Sequence, residues 1–324
     1  MAKKILRSLT PSPVWKTLQS GKRYYESLPV RLMKRWGVNF QRKNDLYSPL
    51  PDWNTLVANE KRWNKPSPLL GIDYSLEGMK QITRRLLSHV TATNPFPHIT
   101  DLLQYGEGYT QVDGMMLYGM LMEHKPKRYV EVGGGMSTYF ANHARQRYRS
   151  TGPYTRITTF EPYPYPGLPT IEDVELIPTL GQDIPLTVFD ELEAGDILFV
   201  DTSHVIKLDG EVNYFVLEAL PRLKPGVLIH FHDIPFPYNF PYPADYWITS
   251  REVKKIEQQY EPMYWTEPML LQAFLMYNDS FKIELSLPLL RFHDEAFLRN
   301  TIPDYKSIAE YPNSFSSLWI RRVK

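Results

Sequence analysis

Short apolar runs alternate along the middle of the chain with longer segments of helical period. Tyr129 to Val132 is apolar apart from Glu131, and Thr155 to Phe160, Val174 to Pro178, Ile197 to Val200 and Val227 to Phe231 follow it. Runs of this length, ending in glycine or polar residues, predict strands covered on both faces. Between them lie helical stretches: Gly114 to Glu123, with Met115, Leu117, Met120 and Leu121 on one face and Asp113 as its cap, Ser137 to about Arg149, Phe189 to Leu192, and Val212 to Leu223. Alternating strands and helices predict a parallel sheet with helices on both faces. Upstream, Ser75-x-x-Gly78 opens a helix that reaches His89. Downstream, helices are expected over Arg251 to Gln259 and from Glu267 to Tyr277, the latter with Pro268 in its first turn. Phe281 to Leu285 and Ser314 to Val323 read as final strands, a hairpin-like pair at the sheet edge.

Prolines divide the remainder. Pro49, Pro51, Pro66 and Pro68 mark extended segments, and Pro162, Pro164 and Pro166 impose a stiff exit from the second strand. Ile234 to Trp247 is dense in Pro, Phe and Tyr. Three parts result: a basic arm over 1–44, an extended and helical extension over 45–96, and an α/β domain over 97–324.

The chain has 324 residues and no cysteine, which excludes disulfides and thiol chemistry. No apolar run reaches the 18 residues of a membrane span, and the N-terminus lacks the apolar core of a secretory signal, so a cytoplasmic protein is expected. The net charge of +1 hides an asymmetry. Up to Asn44 there are 11 basic residues, from Lys3 to Lys43, against the single acid Glu26. Such an arm suits an anionic membrane surface or an acidic partner. Its apolar positions, among them Trp15, Leu28 and Trp36, are too interrupted for a strong interfacial helix, which favours a solvated arm. No nucleic-acid motif accompanies the charge, so no nucleic-acid partner is expected. Oligomeric state is not legible.

The chemistry centres on Glu131-Val132-Gly133-Gly134-Gly135-Met136-Ser137, a strand, a glycine turn and a helix start that Ser137 or Thr138 can cap. A dinucleotide turn wants glycine where Thr138 stands. Glu131 would repel a pyrophosphate and suits the amino group of an amino acid; the plainer reading is a structural turn with an acidic neighbour. Glu161, at the tip of the second strand, can accept two hydrogen bonds from a ribose diol. Gln182 or Asp183, after the third strand, can meet an adenine amino group or form an Asx turn. Asp201, His204, His232 and Asp233 should converge at adjacent strand tips. They could hold a divalent cation, His204 could take a proton from a substrate hydroxyl near neutral pH, or the group could simply order its loops. Tyr105 or Tyr109 could cover a bound adenosine or methionine. The aromatic loop after Asp233 could wall an acceptor pocket or stack on a sugar ring.

Taken together, Glu131 to Ser137, Glu161-Pro162, Gln182-Asp183, Asp201-Thr202-Ser203-His204 and His230-Phe231-His232-Asp233 resemble class I S-adenosylmethionine-dependent methyltransferases of the methyltransferase type 24 family. The resemblance extends to Tyr47-Ser48-Pro49-Leu50-Pro51 and Leu270-Leu271-Gln272-Ala273-Phe274 and leaves the basic arm uncovered. It implies a Rossmann-like, doubly wound seven-stranded sheet with an antiparallel last strand. It implies S-adenosylmethionine held by Glu131, Gly133, Gly135, Ser137, Glu161, Gln182 and Asp183. It further implies magnesium at Asp201, His232 and Asp233, with His232 in place of a carboxylate, and methylation of a sugar or other small-molecule hydroxyl in a glycan or natural-product setting. The alternatives are a catalytically silent methyltransferase-like scaffold in membrane-associated glycan assembly, a nicotinamide dehydrogenase, and a metal-dependent hydrolase.

Overall fold

The computed structural model describes residues 47–93, 96–249, 262–312 and 314–324. The basic arm and the helix expected over Arg251 to Gln259 lie outside the described residues. The chain divides into two compact units, residues 1–60 and 61–324. Within the first, a short helix over Trp53–Ala58 is capped by Asp52, whose side chain accepts from the Thr55 amide at 3.0 Å.

The second unit is built on one sheet. Its helices and strands in chain order are α1 (Leu76–Thr91), α2 (Gln111–His124), β1 (Arg128–Val132), α3 (Met136–Tyr148), β2 (Arg156–Phe160), β3 (Val174–Ile177) and β4 (Ile197–Val200). There follows α4, in which Glu211–Tyr214 runs through a π-helical stretch, Phe215–Ala219, into Leu220–Arg222. Then come β5 (Leu228–Phe231), α5 (Glu267–Leu275), β6 (Phe281–Ser286), α6 (Leu287–Thr301) and β7 (Leu318–Arg322), with shorter turns between. The strand order is β3-β2-β1-β4-β5-β7-β6. β1 to β5 are mutually parallel, and β7 runs antiparallel to both neighbours. This is the Rossmann-like seven-stranded sheet with an antiparallel last strand that the resemblance implies.

The apolar runs form strands because helices cover both sheet faces. β4 and β5 are buried at every position. α2 packs between α1 and α3, and α1 also touches β6 and α6. The buried face of α1 is Met79, Thr83, Leu86, Leu87 and Val90, and Ser75 caps it at the Gly78 amide, 3.0 Å away. The final strands do pair antiparallel at the sheet edge, as expected, but not through a tight turn. The 15-residue α6 separates them, and β7 inserts between β5 and β6. Among the described residues no helix is long and apolar enough to cross a membrane.

Register decides what gathers at the carboxyl edge. Val132 is level with Phe160 and with Val200, and Val200 is level with Phe231. The next residues, Gly133, Glu161, Asp201 and His232, therefore form one row. Backbone bonds extend the ladder through them: Gly133 N to Phe160 O at 2.9 Å, Asp201 N to Val132 O at 2.9 Å and His232 N to Val200 O at 3.1 Å. The order reverses between β1 and β4, which is where open α/β sheets bind ligands.

Candidate active site

The glycine turn is held from below. Gly133 adopts φ +84°, and a Cβ there would lie 1.7 Å from the Asp201 carbonyl oxygen. At Gly135 a Cβ would meet the Tyr105 carbonyl oxygen at 2.7 Å. The close approach that these glycines permit is thus made by the chain itself, which draws the turn against β4 and the 102–106 loop. Gly135, rather than Ser137 or Thr138, is the N-cap of α3, and Thr138 reaches back to accept from the Gly135 amide at 3.1 Å.

Glu131 is fully buried beneath this turn. It accepts from the hydroxyls of Tyr129 at 3.0 Å and Thr159 at 2.9 Å, from Thr138, and from the buried Ser137. Sequence reading sets Glu131 against an amino group; in the structure hydroxyls close its carboxylate. Burial pushes its pKa up to about 7, against the pull of the surrounding hydroxyls. Ser137 likewise faces inward, so both residues hold the turn rather than line its outer surface. Glu161 remains partly exposed at the tip of β2, accepting from the amides of Gly134 at 3.3 Å and Tyr163 at 2.7 Å. Gln182 and Asp183 lie on a 3₁₀ turn beyond β3, with Asp183 exposed.

The tips of β4 and β5 bring Asp201, His204, His232 and Asp233 together. His204 Nε2 is 3.2 Å from Asp201 Oδ1 and 3.5 Å from Asp233 Oδ2. His232 Nδ1 is 3.4 Å from Asp201 Oδ2 and 3.5 Å from Asp233 Oδ2. Each ring is backed on its far nitrogen by a buried carboxylate. Glu267 lies 2.8 Å from His204 Nδ1, and Asp113 lies 3.4 Å from His232 Nε2. The loop bearing His204 is pinned by the start of α5, where the Thr266 and Glu267 amides donate to the His204 carbonyl at 2.8 and 3.0 Å. Asp113 also accepts from Ser317 Oγ at 2.6 Å and Thr110 Oγ1 at 2.5 Å. Ser316 Oγ donates to Asp233 Oδ1 at 2.7 Å.

These surroundings bear on two expectations. His232 faces Asp201 and Asp233, as the triad read from sequence sets it, and His204 joins the same two carboxylates in a compact group with donor atoms within 4.8 Å of one another. Moreover, His204 does not present a free base near neutral pH. Burial opposes its charge, but hydrogen bonds to Asp201 and Glu267 and the nearby Asp233 outweigh burial and push its pKa up to about 10. His232 is likewise held well above the ordinary imidazole value: burial opposes, and Asp233, Asp201 and Asp113 prevail. His232 and His204 in turn keep Asp201 well below the usual carboxylate range despite desolvation.

Two residues of the site escape the sequence reading. Asp113 is not the cap of α2, since Thr110 fills that role and accepts from the Asp113 amide at 3.1 Å. The carboxylate is thereby free to reach His232. A Thr-x-x-Asp spacing before an apolar run was the available signal. Glu267 carried only a helix-start signal beside Pro268. Tyr109 is buried, its ring centroid 4.9 Å from that of His232, rather than covering a ligand. Tyr105 lies beside Tyr139 at 5.0 Å. The aromatic loop approaches the cluster: a cleft bounded by Asp233, Ser316, Pro235, Tyr242, Trp247 and Trp265 opens beside it, with Trp265 4.6 Å from the His204 ring.

An uncharacterized protein of Archaeoglobus fulgidus is 24% identical over 159 residues, covering 45% of this chain and 71% of its own. Among solved structures, the SAH-bound methyltransferase PaMTH1 of Podospora anserina is 18% identical with a TM-score of 0.40, covering 86% of this chain and 100% of its own. The SAM-bound O-methyltransferase TomG of Streptomyces achromogenes is 13% identical with a TM-score of 0.37, covering 84% and 97%. A family model described as a methyltransferase domain matches residues 130–234. The matched segment, residues 130–234, carries the glycine turn, Glu161, Asp201, His204, His232 and Asp233 and is similar to that methyltransferase domain.

Proposed function

We propose that the protein transfers a methyl group from S-adenosylmethionine to a hydroxyl oxygen of a small ring-containing acceptor, with a sugar as the favoured class. The observation that carries this reading is the row formed by register at the carboxyl edge, where the glycine turn and Glu161 adjoin the Asp201, His204, His232 and Asp233 cluster inside the matched segment.

On this reading Gly133 and Gly135 shape the turn that the donor lies against, with Glu161 accepting from the ribose diol and Gln182 or Asp183 meeting the adenine amino group. Glu131 and Ser137 keep the turn in shape. The acceptor approaches beside Asp233, where Trp247 and Trp265 border a cleft of about 30 Å³ that has to widen before an apolar ring surface can lie against them. Asp233, which borders the cleft, is placed to receive the hydroxyl proton, Asp201 holds the two imidazoles, and the charged imidazoles of His204 and His232 stabilise negative charge developing on the oxygen. The buried Nδ1 of His232 has no hydrogen-bond partner although it faces two carboxylates, which fits a cation site among these residues. Asp201, His204 and Asp233 are the residues that would hold a divalent ion; with such an ion bound, His204 would be the neutral imidazole and the ion would supply Lewis acidity in place of the imidazolium charge. Positioning and charge stabilisation then carry the reaction.

The test is transfer of labelled methyl from S-adenosylmethionine to a panel of sugars and phenols. Asp201→Asn should reduce transfer about 100-fold or more. Transfer that Asp201→Asn and Glu161→Ala leave unchanged would contradict the proposed site.

A further inference from the structure

We propose that the acceptor carries an anionic group, a carboxylate or a phosphate, away from its reacting hydroxyl, and that Arg291 and Ser314 receive that group. This deepens the acceptor part of the reading above and rests on it.

Arg291 lies on α6. Its Nη1 donates to Ser314 Oγ at 2.8 Å, and its guanidinium sits 4.7 Å from the centre of the Phe315 ring. Among the described residues no carboxylate forms an ion pair with it. The acids whose charge reaches it are already engaged: Glu295 accepts from Tyr305 at 3.0 Å and Arg299 at 3.3 Å, and Asp113 is held by Ser317, Thr110 and His232. Burial pushes the Arg291 pKa down from the ordinary guanidinium value. The fold thus gives up solvation of a cation without supplying a counter-charge, which costs free energy unless a ligand provides one. Arg145 shows the contrast. It is buried, and Asn142 with the carbonyls of Glu172 and Asp173 closes its guanidinium at 2.5 to 3.0 Å.

Placement ties this cation to the acceptor. Ser314 and Tyr242 border the same cleft as Asp233 and Ser316. Ser316 Oγ donates to Asp233, and Ser314, two residues earlier, accepts from Arg291. Two residues of chain span at most about 7 Å. Asp233 and Arg291 are therefore anchored to neighbouring points of one cleft wall, within reach of the two ends of a substituted ring. Because Ser314 Oγ accepts from Arg291, its own hydrogen is left to donate, and the adjacent cation strengthens that donor. The planar guanidinium fork suits both carboxylate and phosphate.

The experiment measures, by calorimetry on the full chain, binding of two matched sets: glucose, glucuronate and a glucose phosphate, and phenol, para-hydroxybenzoate and para-hydroxyphenyl phosphate. In at least one set an anionic member should bind at least about 10-fold tighter than its neutral parent, and which anion wins separates carboxylate from phosphate. Arg291→Gln should close that gap to within about 2-fold, and Arg291→Lys should restore part of it. A merely structural Arg291 would instead weaken neutral and anionic members alike. Circular dichroism checks folding. Should Arg291→Gln not fold, Ser314→Ala carries the test, because it removes the donor and should narrow the gap about 3-fold or more. Equal binding of anionic and neutral members by the folded wild type, no binding of any anionic member, or a preference that survives in the folded variants would overturn the proposal. Binding of S-adenosylhomocysteine by the wild type reports separately on the methyltransferase reading.

Discussion

Glu131 should make the protein lose stability as pH rises through neutrality. Its carboxyl is raised from the ordinary 4.5 to about 7 because burial beneath the glycine turn outweighs the hydroxyls of Thr138, Ser137, Thr159 and Tyr129. A group whose pKa is higher in the folded state favours folding most below its unfolded value, and that contribution disappears as pH rises through the folded value. The window is therefore about pH 4.5 to 7. Each unit is worth about 1.4 kcal/mol, so moving from 4.5 to about 7 is worth about 3 kcal/mol. The hydroxyl neighbours can reverse their bonds and accept from a protonated carboxyl, so the neutral form is not stranded. Glu131→Gln removes the titration and keeps an amide of the same shape. Urea unfolding of both proteins at pH 5 and pH 8 isolates the effect, because other titrating groups cancel in the difference. The wild type should lose most of that 3 kcal/mol relative to the variant over this interval. Thr159→Val deletes a hydroxyl that favours the charged form and should move the window upward. Parallel pH profiles for wild type and Glu131→Gln would refute the reasoning and mean that water or a cation reaches the carboxylate.

Other perturbations follow from single contacts. Gly133→Ala places a Cβ 1.7 Å from the Asp201 carbonyl at φ +84° and should cost at least about 2 kcal/mol by thermal or chemical unfolding. Asp113→Asn removes the charge that Ser317, Thr110 and His232 share; it should cost about 1.5–3 kcal/mol by chemical denaturation. Trp265→Ala opens the acceptor cleft beside His204 and should raise KM for the acceptor while leaving S-adenosylhomocysteine affinity unchanged, as steady-state kinetics and calorimetry would show.

The sheet was legible because β1 to β5 are continuous apolar runs between amphipathic segments, and their glycine and acidic endings mark the carboxyl edge. The last third was less so. α6 is capped by Ser286 and carries Pro288 in its first turn, in a sequence of mixed apolar and charged residues, and nothing local announces that β7 crosses to lie between β5 and β6. The convergence of Asp201, His204, His232 and Asp233 followed from strand tips alone. Their backing carboxylates did not, since Asp113 and Glu267 lie 119 and 63 residues from the histidines they meet. Both looked like ordinary helix-start acids. The roles of Glu131 and His204 changed for one reason: burial and neighbouring charges, invisible in a linear motif, decide which proton each one holds.

The most direct measurement of the central claim is isothermal titration of the full chain with S-adenosylhomocysteine, with NAD as control and Glu161→Ala as the site variant. The account predicts binding to S-adenosylhomocysteine alone, weakened at least about 10-fold when the Glu161 carboxylate and its diol contacts are removed. Equal binding by Glu161→Ala, or no binding by the folded wild type, would contradict it.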